Sequence, residues 1–292
     1  MQKKSKILNL NTKKQKKSDD AVVGIVAAFL IIGLVVAVFS VIQTQYVPKW
    51  MREKESDHMD ELADQFAQLN YAIRIHSSNK ESDIPISTGI TLGSKEMPYL
   101  MSMRAFGRLS ILQDSFFISI NSTHNYSIGT IKYSSINSYF INQEYVQENG
   151  GIILSQDTGN AMLIKPIINA TYEADISIDL KIIDISTMGN KVQSIINWGT
   201  SPIQTEFKES YSNTLVNISY INITTNYNTS WYNFINSVLL NAGLNWDENN
   251  PNYEIILDDN KITIHFFEFV TVNVNYYKIG AQIAPGWVEE RD

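Results

Sequence analysis

Cysteine is absent from the 292-residue chain, and its absence excludes disulfides, thiolate nucleophiles, Cys-ligated zinc and iron–sulfur clusters. Histidine is almost as scarce. His58, His76, His124 and His265 are spread too widely for a His-x-x-x-His metal helix or a base–nucleophile set. No Gly-rich phosphate loop, Gly-x-Ser-x-Gly elbow or paired-carboxylate motif occurs either, so neither a cofactor nor catalysis is expected. Basic residues are concentrated at the start. Seven lysines fall within the first 17 residues, and from Ala21 onward 16 Lys and Arg stand against 28 Asp and Glu, a net charge of −12. Phosphate recognition needs a basic face, which argues against a nucleic-acid partner.

What the chain does have is one long apolar run. Residues 21–42, AVVGIVAAFLIIGLVVAVFSVI, contain no charge over 22 positions, and at about 1.5 Å per residue they span roughly 33 Å, the thickness of a bilayer core. Lys3, Lys4, Lys6, Lys13, Lys14, Lys16 and Lys17 precede the run, whereas Lys49, Arg52 and Lys54 after it alternate with Glu53, Glu55 and Asp57. The positive-inside tendency therefore places residues 1–20 in the cytoplasm as a basic leader, and everything beyond 42 outside a single-pass span. Tyr46 and Trp50 fall where an interfacial aromatic belt belongs. A cleaved secretory signal is the competing reading, but its apolar region is usually about 7–15 residues and ends at a small-x-small site, which this run lacks.

Met59, Leu62, Phe66, Leu69 and Ile73 then recur at spacings of 3, 4, 3 and 4, the stripe of an amphipathic helix. With Pro48 as a kink, one helix is expected to extend from the membrane through residues 43–76 and to end at Ser77-Ser78-Asn79-Lys80. The distal half of the stripe is expected to pack on the chain's own head. Glu55, His58 and Glu61 share one side of this helix at i, i+3 and i+6, which reads as a solvated charged face.

Residues 77–292 read as a β-rich head. Short β-prone runs occur at 86–92, 108–112, 116–120, 126–133, 152–154, 161–168, 176–185, 215–223, 253–257, 261–267 and 269–279. Asp258-Asp259-Asn260 marks a hairpin turn. One short helix is expected at 230–241, with Ser230 as N-cap and Gly243 beyond its end. The fold class is α+β: a long N-terminal helix, transmembrane then amphipathic, followed by an antiparallel, sandwich-like β head with one short helix. The acidic run Asp247-Glu248-Asn249-Asn250-Pro251-Asn252 has oxygen ligands, but it lacks the EF-hand glycine and reads as an acidic turn with no metal expected.

Lys16-Lys17-Ser18-Asp19-Asp20-Ala21-Val22-Val23-Gly24, followed by the unbroken apolar run, resembles the N-terminus of archaeal type IV pilin-like proteins, which carry a class III signal peptide. In the head, Tyr145-Val146-Gln147-Glu148-Asn149-Gly150-Gly151-Ile152-Ile153 and the Trp231 helix followed by a hairpin look like features of the same exported proteins. The resemblance implies a prepilin peptidase as partner, cleavage between Ser18 and Asp19, retention of the apolar helix, and other pilin-like subunits as neighbours. Ser18 stands where many such leaders have Gly or Ala, and Val23-Gly24 replaces the usual Ser-Pro, so an uncleaved anchor stays open beside cleavage. After cleavage, Asp19 and Asp20 would face a new α-amino group in an apolar filament core, where unpaired charge is costly. Gly24 and Ala28 lie on one side of the helix and Gly33 and Ala37 roughly opposite, so two faces admit close helix approach.

Six Asn-x-Ser/Thr sequons, at Asn121, Asn125, Asn169, Asn217, Asn222 and Asn228, all lie in the segment placed outside the membrane and are candidate glycan attachment points. The sequence thus points to a membrane-anchored, exported minor pilin or pseudopilin at the cell surface, with a structural or surface-interaction role. A single-pass receptor or adhesin that does not polymerise is the alternative.

Overall fold

The computed structural model describes residues 3–78, 84–94, 105–173, 175–188, 193–245 and 251–283, with side chains from residue 22 onward. The described chain divides between Arg52 and Glu53 into two compact units. The acidic run at 247–250 lies outside the described residues, as do the side chains of Ser18 and Asp19.

The N-terminal unit is helical: α1 (Lys3–Val41), a π-helical turn (Ile42–Tyr46) and the opening of α2 (Val47–Ser78). Pro48 does not break the helix, which runs without interruption for 57 residues from Val22 to Ser78. Proline has no N–H to offer the carbonyl four residues back, and its ring crowds that carbonyl. A wider turn accommodates both problems: the Val47 N–H donates to Ile42 O, five residues back, while Thr44 Oγ1 donates to Ser40 O at 2.8 Å.

The second unit is the head. Among the described residues there are twelve strands: β1 (Ile86–Thr91), β2 (Phe106–Ile120), β3 (His124–Ile136), β4 (Gln143–Glu148), β5 (Gly151–Gln156), β6 (Gly159–Ile164), β7 (Ile168–Tyr172), β8 (Ile176–Thr187), β9 (Gln193–Asn197), β10 (Thr200–Thr224), β11 (Tyr253–Asp258) and β12 (Lys261–Ile283). They form one sheet in the order β6-β5-β4-β3-β2-β10-β12-β8-β7, with β1, β11 and β9 attached to β10, β12 and β2. β12 and β8 pair in parallel, and the remaining described pairings are antiparallel. The sheet folds onto itself where β3 meets β8. Gly129 permits this approach, since a Cβ there would sit 1.9 Å from Ile185 O, and its N–H donates to Asp184 Oδ1 at 2.8 Å.

Alternation along the strands feeds two cores. Tyr145, Ile152 and Ile183 join Met59, Leu62, Phe66, Leu69 and Ile73 of α2, whereas Val146, Ile153 and Ile182 join Trp231, Phe234 and Ile235 of α3 (Asn228–Asn241). Neighbouring residues serve opposite faces because side chains on a strand alternate with a period of two. The amphipathic stripe of α2 therefore packs on the head, as its spacing predicts. α2 stops at Ser78, where Ser77 Oγ and Ser78 Oγ both donate to Arg74 O at 2.8 and 2.9 Å. Gly243 follows α3 in the left-handed region (φ 84°), and the Asp258↔Lys261 pair closes the expected hairpin.

Several expectations need revision. β2 is one strand rather than two, broken by a bulge between Leu112 and Phe116 where Asp114 takes φ 50°. β10 begins at Thr200, fifteen residues before the expected run, and β4 and β9 were not anticipated. α3 is capped by Tyr227 rather than Ser230, which lies inside the first turn.

Phe66 is fully buried between Tyr133 and Tyr145, at ring centroid distances of 6.5 and 5.7 Å. Phe66→Ala is expected to cost about 3–5 kcal/mol in urea denaturation, while Tyr71→Ala, on the exposed side of the same helix, should stay within about 0.5 kcal/mol.

Candidate functional site: the apolar helix and the polar contacts of the head

Within the helical unit, fourteen large apolar side chains between positions 22 and 41 are exposed, Phe29 by 70%. The most apolar 18-residue window has a mean hydropathy of 3.1 and no buried residue. At roughly 1.5–3 kcal/mol per side chain, this surface represents on the order of 20–40 kcal/mol of unrealised burial. That exceeds the whole stability of an ordinary domain, about 5–15 kcal/mol. Gly24 and Gly33 have nothing within 4 Å of a built Cβ, so nothing described in the chain packs on either small-residue face.

Within the head, the β4–β5 hairpin is the polar centre. Asn149 and Gly150 form its two-residue turn with φ 47° and 74°, the signs that primed hairpin turns require. The residues near the turn reach two other elements, α2 and β8. Tyr145 O–H donates to Met59 O of α2 at 3.1 Å, and Asn149 Oδ1 accepts the Ile183 N–H of β8 at 2.8 Å. Gly150 O accepts from Arg74 of α2 at 3.0 Å, and the same guanidinium also donates to Lys165 O.

Glu148, only 2% exposed, points to the opposite face. Its Oε2 accepts Trp231 Nε1–H at 2.8 Å and Thr225 Oγ1–H at 2.9 Å, holding the start of α3. Burial pushes the carboxyl up to about 7, against the smaller opposing effect of those two donors and Lys132. α3 has no side-chain cap of its own. Asn160 of β6 supplies one, its Oδ1 accepting Ser230 N–H at 2.9 Å and Ser230 Oγ–H at 2.6 Å, in the place where an N-cap side chain would act. Glu144 completes the network through Lys132 at 2.8 Å, Ser134 at 3.0 Å and Tyr227 at 3.3 Å. Glu148 is enclosed with both of its donors engaged, an arrangement that fastens elements together, while Lys132 and Glu144 stay partly exposed.

Of the expected solvated face of α2, Glu61 is exposed but Glu55 and His58 are buried. Glu55 accepts the backbone N–H groups of Ser138, Tyr139 and Phe140 at 3.1, 2.7 and 2.6 Å, so its carboxylate organises that loop. His58 Nε2 meets the Tyr133 hydroxyl at 3.3 Å, and His58 lines a cleft of about 170 Å³ with Lys54, Asp57, Glu61 and Thr91. Burial holds its imidazole below the usual range, with Glu61 and Glu55 opposing. Among the described residues no group of three or more His, Cys, Asp or Glu could hold a metal. An apolar cavity of about 30 Å³ lies beneath α3, and a polar cleft of about 210 Å³ lies beside Asp184.

The sequons separate by exposure. Asn125, Asn169 and Asn217 are exposed. Asn121, Asn222 and Asn228 are half-buried with engaged amides: Asn121 Nδ2 donates to Asn217 O at 3.0 Å, Asn222 Oδ1 accepts from Thr263 at 2.8 Å, and Asn228 Nδ2 donates to Asp259 O.

An N-terminal helix with the length and composition of a single membrane span or of a signal sequence, joined to a β-rich head, is the layout of an anchored or exported protein. Comparison with protein-family models, curated proteins and solved structures finds no match to this chain.

The raised Glu148 carboxyl gives stability a definite pH dependence. Between about 4.5 and about 7 the folded state holds a proton that the unfolded state has released, so this group's contribution is full below about 4.5 and is lost as pH rises through about 7. Glu148→Gln, whose amide oxygen still accepts from Trp231 and Thr225, should flatten that decline by up to roughly 3 kcal/mol. Parallel denaturation of both proteins at pH 5 and pH 8 measures it; equal slopes would rule out the carboxyl as the source.

Proposed function

We propose that the chain is a membrane-anchored, exported, pilin-like protein of an archaeal envelope, with its β head on the cell-surface side and a structural or surface-interaction role rather than a catalytic one. One observation carries this reading: an apolar helical surface too large to be left in water continues into a helix whose own stripe is buried in a β head. Lipid covers such a surface in a single-pass protein, and neighbouring helices cover it in a filament. The seven N-terminal lysines orient the span with its start in the cytoplasm. Gly24, Ala28, Gly33 and Ala37 lie on two sides of the helix, which suits contact with more than one pilin-like subunit. Removal of the leader between Ser18 and Asp19 by a prepilin peptidase leaves the apolar helix in place. No cofactor, metal or nucleic acid enters this role.

Alkaline carbonate extraction of membranes, followed by N-terminal mass analysis of the retained chain, tests the anchoring. The chain is expected in the pellet with Asp19 as its first residue, or Met1 if the leader stays, and Leu30→Lys with Leu34→Lys should release most of it. A mature soluble chain lacking residues 1–42 would make the apolar run a removed signal. Glycans are expected first at the exposed Asn125, Asn169 and Asn217. Glycopeptide mapping of protein taken from its native surface checks this, and six bare sequons would remove glycosylation from the proposal.

A further inference from the structure

Where β2 begins, one face of the sheet is apolar and open. In the strand register Arg108 stands opposite Ile196 of β9 and Ser134 of β3, and Phe106 stands opposite Ile136. Directly opposed residues of antiparallel strands share a face, as do residues two apart on one strand. The Ser110–Ser194 hydroxyl contact at 2.9 Å marks the same face two residues further along β2. Phe106, Ile136 and Ile196 are 41%, 48% and 52% exposed. The other face of these strands is sealed, with Leu109, Ile111 and Ile131 fully buried in the core that takes the α2 stripe. The open row lies beside the place where α2 joins the head. The turn after Ile136 is held by Glu55, which accepts the N–H groups of Ser138, Tyr139 and Phe140, and Ile141, also exposed, closes that turn by accepting from Asn137 Nδ2 at 2.9 Å. Glu55 follows Trp50 by five residues of α2, roughly 7 Å of helix. The headgroup zone on each side of a bilayer core is about 5–8 Å deep. With Tyr46 and Trp50 in the interfacial belt, the short helical link keeps this row within reach of lipid headgroups.

We propose that Phe106, Ile136 and Ile196 form a membrane-contact surface of the head, seated in the headgroup zone of the leaflet from which the helix emerges, with the Arg108 guanidinium on a lipid phosphate. The proposal rests on the anchored reading of the chain and adds a second point of attachment to it. Apolar side chains around one arginine suit that zone, where acyl chains and phosphates lie close together and a guanidinium can engage a phosphate through two hydrogen bonds. A second copy of the chain suits the row less well. A two-fold interface sets the same patch against itself. That would bring Arg108 toward its counterpart, with no carboxylate among Phe106, Arg108, Ser134, Ile136 and Ile196 to separate the two charges.

Because the chain has no cysteine, one introduced thiol takes a polarity-sensitive fluorophore to one chosen position. Full-length Ile196→Cys, labelled and reconstituted into vesicles of phosphatidylcholine and phosphatidylglycerol, is expected to lose more than half of its emission when brominated phosphatidylcholine replaces the ordinary lipid, and to resist iodide in the water. Ile136→Cys should behave alike, and it replaces the first variant if that one melts early. Phe106→Asp added to Ile196→Cys should return the label to iodide. Phe269→Cys, exposed on β12, should respond to iodide and not to the bromolipid, while Leu30→Cys in the apolar run reports the anchoring by itself. A label at 196 open to iodide, with the label at 30 quenched by bromolipid, overturns the contact surface and leaves the anchored reading standing. A label at 196 shielded from both quenchers means that protein covers the face, which also overturns the proposal. If the label at 30 escapes the bromolipid, the anchored reading fails and this proposal fails with it.

Discussion

The fold of the head depends on a single hairpin and its turn. Asn149 and Gly150 both adopt left-handed backbone, and at Gly150 a Cβ would lie 2.7 Å from Ile183 Cδ1. The positive φ favours glycine there, and a Cβ would also displace the Ile183 δ-methyl where the turn meets β8. From that point the two faces of β4 and β5 diverge: Tyr145 and Gly150 O hold α2, and Glu148 holds α3. The two helices lie far apart in sequence, so the hairpin sets the relation of each to the sheet. Closing such long loops is entropically costly. Several directional bonds at one place offset that cost and also select a single arrangement, which apolar contact alone specifies less sharply.

This explains why polar groups are buried there despite their desolvation penalty. Glu148 is kept from water, yet both of its donors are neutral and well placed, so the protonated form that burial favours loses little of the hydrogen bonding. Glu55 has a different solution on the other face. Three successive backbone N–H groups converge on its carboxylate, the kind of nest that elsewhere binds free anions. In both places an acidic side chain ties down a segment that apolar packing would leave loose.

The parts of the structure legible in the sequence were those with a strong period. The α2 stripe and the alternation of Ile176, Ile178, Leu180 and Ile182 each place one face toward a core, and the pattern survives in the amino-acid order. The first half of β10 leaves no such trace. It forms a ribbon with β12, exposed on many positions of both faces, so Glu206 to Thr214 read as polar loop. β4 is hidden for the opposite reason: it buries Gln143, Gln147 and Glu148, whose polarity breaks the alternation. The partners of Glu148 lie 77 and 83 residues away, beyond any local pattern. The Asn-Gly turn was the available clue, because two β-prone flanks around that dipeptide define a hairpin.

The two units solve the same problem by different means. In the head, apolar faces are matched by other faces of the same chain, and the strands alternate so that one sheet serves two helices. In the helical unit no such partner exists among the described residues, and the surface from Val22 to Val41 is apolar on every side rather than along a stripe. A helix destined for a protein core needs one polar face where it meets water, as α2 has. A helix without one is complementary to a surrounding that is apolar all around, which lipid and a bundle of like helices both provide. The π-helical turn at Ile42–Tyr46 falls where these two regimes meet in the sequence. There the helix absorbs Pro48 without ending, so the continuity of the backbone is preserved across the change from an all-apolar surface to an amphipathic one.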